Sequence, residues 1–180
     1  MTDDVLTPLI DAGTIATRVR ELGGDITNAT AGHPLTVLAV MTGGLVFAAD
    51  LIRAIERPLQ LGVLHARSYR GRATRAGDLE LALDQLPELA DRYVLVVDDI
   101  FDSGQTLTRI AEELASRGAR RVEAAVLLRK DVARERDVRD PAYVGFEIAD
   151  EFVVGYGLDF DGEYRGRPEI SVLRPAAPPA

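Results

Sequence analysis

Apolar positions fall into short blocks separated by polar and glycine-rich turns, and two periods alternate along the chain. From Leu9 to Leu22, the residues Ala12, Ile15, Val19 and Leu22 recur at helical spacing, and Gly23-Gly24 follows as the expected terminator. Leu35 to Met41 is a continuous apolar run, the pattern of a strand covered on both faces. Thr42-Gly43-Gly44 predicts a turn, Leu45 to Ile55 a mostly buried helix, and Leu59 to Ala66 a second strand. Ser68 to Asp78 is polar and basic and predicts an exposed loop, while Leu79 to Leu83 alternates like an edge strand. Tyr93 to Val97 is the clearest buried strand, with a turn expected over Asp98 to Gln105. A helix burying Leu107, Ile110, Ala111, Leu114 and Ala115 follows, closed by Gly118, and Val122 to Leu128 is the next strand.

Strands and helices thus alternate at βαβ spacing. The expected fold is α/β, with a doubly wound, mainly parallel sheet flanked by helices. A single domain over 1–173 is expected, with Arg174-Pro-Ala-Ala-Pro-Pro-Ala180 as a disordered, proline-rich tail.

Composition narrows the class. A chain of 180 residues, 47% of them apolar, can bury a core without staples. It has no cysteine, which removes disulfides, thiolate metal sites and cysteine nucleophiles. The net charge of −8 argues against a nucleic-acid or anionic-membrane surface. Apolar stretches are too short and too charged to span a bilayer, and no signal-peptide core is evident, so a cytoplasmic location is expected. His33 and His65 share no metal-ligand spacing and read as structural.

The chemistry concentrates in Val96-Val97-Asp98-Asp99-Ile100-Phe101-Asp102-Ser103-Gly104-Gln105-Thr106. Ligands of open α/β sheets bind beyond the carboxyl ends of the strands, and this segment lies there. Gly104 permits close approach of an anion, Ser103 and Thr106 offer hydroxyls, and the helix start adds converging N–H groups. Asp102 alone would read as a helix N-cap and Asp98-Asp99 as a solvated turn. Two adjacent acids ending a buried strand favour a ligand, because uncompensated carboxylates there are costly. Neither the P-loop nor the dinucleotide fingerprint is present.

Val94 to Thr106 resembles the 5-phosphoribosyl-1-pyrophosphate (PRPP) signature of the type I phosphoribosyltransferases. Tyr143 to Arg165 is similar to the purine-binding region of their hypoxanthine-guanine members. Leu127-Leu128-Arg129-Lys130 is similar to the strand that ends in their base-reading lysine, and Ser68-Tyr69 to the start of their mobile catalytic loop. The resemblance spans about Leu35 to Leu173, with the motifs in order. It implies a core over about 35–130 and a small hood from about 1–34 and 140–173.

The activity it implies is purine salvage: magnesium-dependent transfer of phosphoribose from PRPP to hypoxanthine or guanine, giving IMP or GMP and pyrophosphate. By the same resemblance Asp98 and Asp99 would bind the ribose hydroxyls close to the metal, with Asp159 as a further metal ligand. Asp102 would be the general base at purine N7. Ser103, Gly104, Gln105 and Thr106 would cradle the 5′-phosphate, and Thr42, Gly43, Gly44 and Arg165 the pyrophosphate. Lys130 would donate to O6, which excludes adenine, since its 6-amino group is also a donor. Phe152 would stack on the base, and the Val153 carbonyl would accept from a guanine 2-amino group. Ser68 and Tyr69 would close over the transition state, with Arg70, Arg72 and Arg75 drawing the loop onto pyrophosphate. The implied partners are these small molecules, with assembly as a homodimer or homotetramer.

Three positions depart from the family pattern. Thr42 stands where a lysine is usual, Gln105 where some members have lysine, and Asp98 where many have glutamate. Two other functions share the pattern: a regulator that binds PRPP or nucleotides without catalysis, and an enzyme preferring xanthine.

Overall fold

The computed structural model describes residues 5–68, 79–82 and 86–174. In chain order the elements are β1 (Val5–Ile10), α1 (Ala12–Ala29), β2 (Leu35–Met41), α2 (Leu45–Ala54), β3 (Gln60–Ser68) and β4 (Leu79–Ala82). They continue with β5 (Tyr93–Phe101), α3 (Gln105–Ser116), β6 (Arg121–Lys130), β7 (Tyr143–Ile148), β8 (Val153–Val154) and β9 (Ile170–Arg174).

Six strands form the large sheet in the order β4-β3-β2-β5-β6-β7. All pairs are parallel except β3 with β4, so the antiparallel strand sits on an edge, as the alternation of Leu79 to Leu83 predicts. The sheet is covered on both faces, and the side-chain period of two shows it directly. Val37 and Ala39 of β2 join Ile15, Val19, Leu22, Phe47 and Leu51 of α1 and α2. Leu38 and Val40, one residue out of phase, join Leu107, Ile110 and Leu114 of α3. A second sheet, β1-β9-β8, is antiparallel and draws its strands from the two ends of the chain. The large sheet reaches past the expected core bounds, because β7 pairs in parallel with β6 from Ala125↔Tyr143 to Lys130↔Ile148.

Three local expectations are corrected. The first helix runs on through Gly23-Gly24 to Ala29. A Cβ at Gly23 would overlap Ala54, so this glycine lets α1 and α2 approach closely rather than ending the helix. The turn expected from Asp98 begins only after Phe101, because β5 stays laddered to β6 through Ile100↔Leu128 and Phe101↔Arg129. Ala115 is exposed, although α3 buries Leu107, Ile110 and Leu114 as its period requires.

The strand order also positions the site. From β2 the chain moves outward to β3, whereas from β5 it moves the other way to β6. The crevice beyond the carboxyl ends of β2 and β5 is therefore the topological switch point, where doubly wound sheets bind ligands. The turn Thr42-Gly43-Gly44 leaves β2 there, and Asp102-Ser103-Gly104 leaves β5 beside it.

Candidate active site

Asp98 and Asp99 lie near the carboxyl end of β5, partly exposed. The Asp99 backbone N–H donates to Asp98 Oδ1 at 2.9 Å, and the Ile100 N–H to Asp99 Oδ1 at 2.8 Å. Burial, and then the Asp99 charge, push the Asp98 carboxyl well above the ordinary aspartate range. Burial also raises Asp99, against the pull of its hydrogen bonds and of the Arg165 guanidinium. Both carboxyls are therefore harder to ionise than a free aspartate, and a bound cation would favour their charged forms.

Gly43 explains how the two turns meet. A Cβ at this position would overlap the Asp99 carboxylate and have to displace it, so the glycine brings the β2 turn directly against Asp99. A Cβ at Gly157, whose φ is +103°, would likewise overlap the Gly43 carbonyl. Arg165 completes this wall, donating to the Gly157 carbonyl at 2.6 Å and pairing with Asp159 Oδ1 at 2.7 Å. The Gly44 N–H donates to the Val40 carbonyl at 3.1 Å within the turn. Thr42 is exposed, its carbonyl accepting from the Leu45 N–H, and the Met41–Thr42 peptide is cis.

Gly104 occupies the N-cap of α3 at φ +77°, a left-handed conformation that glycine adopts without strain. No side chain caps this helix. The first N–H groups of α3, at Gln105 and Thr106, therefore face the crevice with the positive end of the helix dipole. Ser103 and Gln105 are exposed beside them. Asp102 does not act as the cap; its carboxylate is 61% exposed and lies 3.9 Å from Lys130 Nζ.

Lys130 ends β6, the neighbour of β5, and its side chain is only 13% exposed. Its ammonium donates to Asp150 Oδ1 at 2.7 Å. Phe152 is 49% exposed and meets Phe160 edge-on, with ring centroids 5.7 Å apart. Val153 is buried in β8, laddered to Val172.

Asp159 is not free. Besides Arg165 at Oδ1, its Oδ2 accepts from the Gly162 N–H at 2.9 Å. Among the described residues no three His, Asp or Glu side chains converge as a preformed metal cluster. The oxygen-only donors and the uncompensated charge of Asp98-Asp99 nevertheless suit a hard cation of the magnesium type. Such ions take one or two carboxylates and complete their shell with water and substrate oxygens.

Ser68 ends β3, and its backbone pairs with Leu79. Tyr69, Arg70, Arg72 and Arg75 lie outside the described residues. His33 sits in the turn before β2, and His65 in β3 opposite Ala82. Sequence reasoning missed Asp150 and Arg134. The latter donates to the carbonyls of Asp102, Phe101, Val132 and Lys130. Both read as solvated charges in polar stretches, and no spacing marks them.

A family model described as the phosphoribosyl transferase domain matches residues 9–161, and the chain belongs to that family. Its relatives place it among the hypoxanthine-guanine members. The hypoxanthine-guanine phosphoribosyltransferase of Mycobacterium tuberculosis is 38% identical over 178 residues, covering 96% of this chain and 88% of the relative. That of Bacillus subtilis is 35% identical, covering 98% and 97%. The crystal structure of a hypoxanthine phosphoribosyltransferase from Staphylococcus aureus superposes with a TM-score of 0.86 at 34% identity, covering 93% of this chain and 91% of that one. No helix among the described residues is long and apolar enough to cross a membrane.

Proposed function

We propose that the protein transfers the 5-phosphoribosyl group of PRPP to hypoxanthine or guanine, forming IMP or GMP and releasing pyrophosphate. One observation carries the reading. A nearly buried lysine, suited to O6, stands 3.9 Å from a carboxylate suited to N7, and both adjoin an uncapped helix N-terminus.

In this reading the 5′-phosphate sits on the N–H groups opening α3, with the Ser103 and Thr106 hydroxyls as further donors. Asp98 and Asp99 accept the ribose 2′ and 3′ hydroxyls, which their raised carboxyls require for compensation. Asp98, Asp99 and Asp159 would hold magnesium arriving with PRPP, Asp159 once Arg165 has exchanged partners, and the ion would supply positive charge against this pair and the pyrophosphate. Arg165 then pairs with the departing pyrophosphate, assisted by the Thr42-Gly43 turn.

At the other end Phe152 stacks on the purine and Lys130 donates to O6. The bond from ribose C1 to pyrophosphate breaks while N9 of the base bonds to C1. Asp102 takes the proton from N7, so the product leaves neutral at the base and the proton passes to solvent. Ser68 and Tyr69 close over this centre and exclude water, which would otherwise hydrolyse the activated sugar. The Val153 carbonyl accepts from the 2-amino group of guanine.

The expected assembly is a homodimer or homotetramer in the cytoplasm. Leu61 and Val63, about half exposed on β3, support self-association. The test supplies PRPP and magnesium with hypoxanthine, guanine, xanthine or adenine and follows nucleotide formation. Product from hypoxanthine or guanine and none from adenine is expected. A protein that binds PRPP yet turns over no base would be a regulator, and turnover of adenine would refute the role of Lys130.

A further inference from the structure

We infer that Arg134 is a positioning residue that sets the spacing between the proposed general base Asp102 and the proposed O6 reader Lys130. This rests on the reading of those two residues given above. Arg134 belongs to the irregular segment 131–142 between β6 and β7, and it is partly buried beneath the two strand ends. Its Nε donates to the Asp102 carbonyl at 2.8 Å, and its Nη2 to the Lys130 carbonyl. The same nitrogen reaches the Phe101 carbonyl at 3.4 Å, while Nη1 donates to Val132. The guanidinium carbon stands 4.6 Å over the centroid of the Phe101 ring.

These contacts join parts that the sheet alone leaves separate. Laddering between β5 and β6 ends at Phe101↔Arg129, one residue short of both Asp102 and Lys130. The paired register goes no further, yet O6 and N7 are neighbours on one edge of the purine. Asp102 and Lys130 must therefore hold one separation. The planar guanidinium replaces the missing rung by bonding both carbonyls in one rigid fork, a geometry that an ammonium cannot reproduce. The Phe101 ring beneath it fixes the plane and also packs where a Cβ of Gly104 would be, together with Val138 of the same segment. Arg134 thereby ties the base-facing pair to the phosphate turn.

The test measures KM for hypoxanthine at saturating PRPP for four proteins: wild type, Lys130→Gln, Arg134→Lys and the double variant. KM does not depend on the fraction of protein that is folded, so loss of stability alone leaves it unmoved. Losing a hydrogen bond from a charged donor should raise KM about tenfold or more for Lys130→Gln in the wild-type background. With Arg134→Lys the lysine is already misaligned, so removing it should raise KM further by only about twofold. Arg134→Gln serves in the same cycle if Arg134→Lys does not fold. An equal factor in both backgrounds overturns the inference and leaves the role of Lys130 standing. No effect of Lys130→Gln in wild type overturns both.

Discussion

The site holds two groups of carboxylates that meet their charge in opposite ways. At the ribose end, Asp98 and Asp99 lie side by side on β5, and burial pushes both above their ordinary range. Arg165, the cation that acts on Asp99, is engaged with Asp159 and the Gly157 carbonyl. At the purine end, Asp102 and Asp150 are 61% and 64% exposed and flank Lys130. That cluster is solvated and carries its own cation. On the proposed reading, the contrast means that the purine end would be set before substrate arrives, whereas the ribose end would be completed by what substrate brings. On that reading a chain of net charge −8 would bind a heavily anionic sugar phosphate because the metal would bring the missing positive charge.

The comparison can be broken at either end. The largest effect is expected from Asp102→Asn, which keeps the exposed shape and removes the base. Its kcat should fall by about two orders of magnitude or more, with an unchanged melting temperature. Near-wild-type turnover would remove the general-base role. Next comes Gly43→Ala, whose methyl group must displace the Asp99 carboxylate. It should weaken PRPP by about tenfold or more, read as Kd by calorimetry, with a smaller change in KM for the base.

Asp98→Asn should separate stability from function. Both acids are raised above the ordinary value of 3.8, so the folded protein binds protons more tightly than the unfolded chain. Stability from this source is present at low pH and is lost as pH rises through the folded-state values. Replacing Asp98 by a neutral amide should raise the melting temperature at about pH 8 by about 2–4 °C, flatten its pH dependence and weaken PRPP binding. A lower melting temperature would show that the pair is already compensated. The smallest effect is expected from Phe152→Ala, which loses a stacking contact at a half-exposed position. KM for the base should rise about three- to tenfold, with KM for PRPP unchanged.

The same contrast governs what could be read in the sequence. Leu35–Met41 and Tyr93–Val97 are apolar on both faces, and the doubly wound sheet followed from them because burial there admits little else. Asp98-Asp99-Ile100-Phe101-Asp102 was legible as chemistry but not as geometry. Acids read as a turn, yet β6 holds the strand to Phe101. Gly23-Gly24 likewise read as a stop because local sequence cannot show that Ala54 of another helix needs the space. Arg134 and Asp150 left no signal, since their roles depend on strand ends brought together by the parallel order of β5, β6 and β7. Residues acting through backbone shape or local period were visible. Of those acting across the sheet, Lys130, Phe152 and Arg165 were marked only by the family resemblance, and Arg134 was not marked.

The affinity of PRPP for the resting protein, measured by calorimetry at about pH 8 with and without magnesium, tests most directly whether the ribose end needs a cation from outside. The uncompensated pair predicts that withdrawing magnesium weakens PRPP by about tenfold or more in wild type and by much less in Asp98→Asn. Equal affinity with and without magnesium in wild type would contradict it, and the positive charge would then have to come from the chain itself.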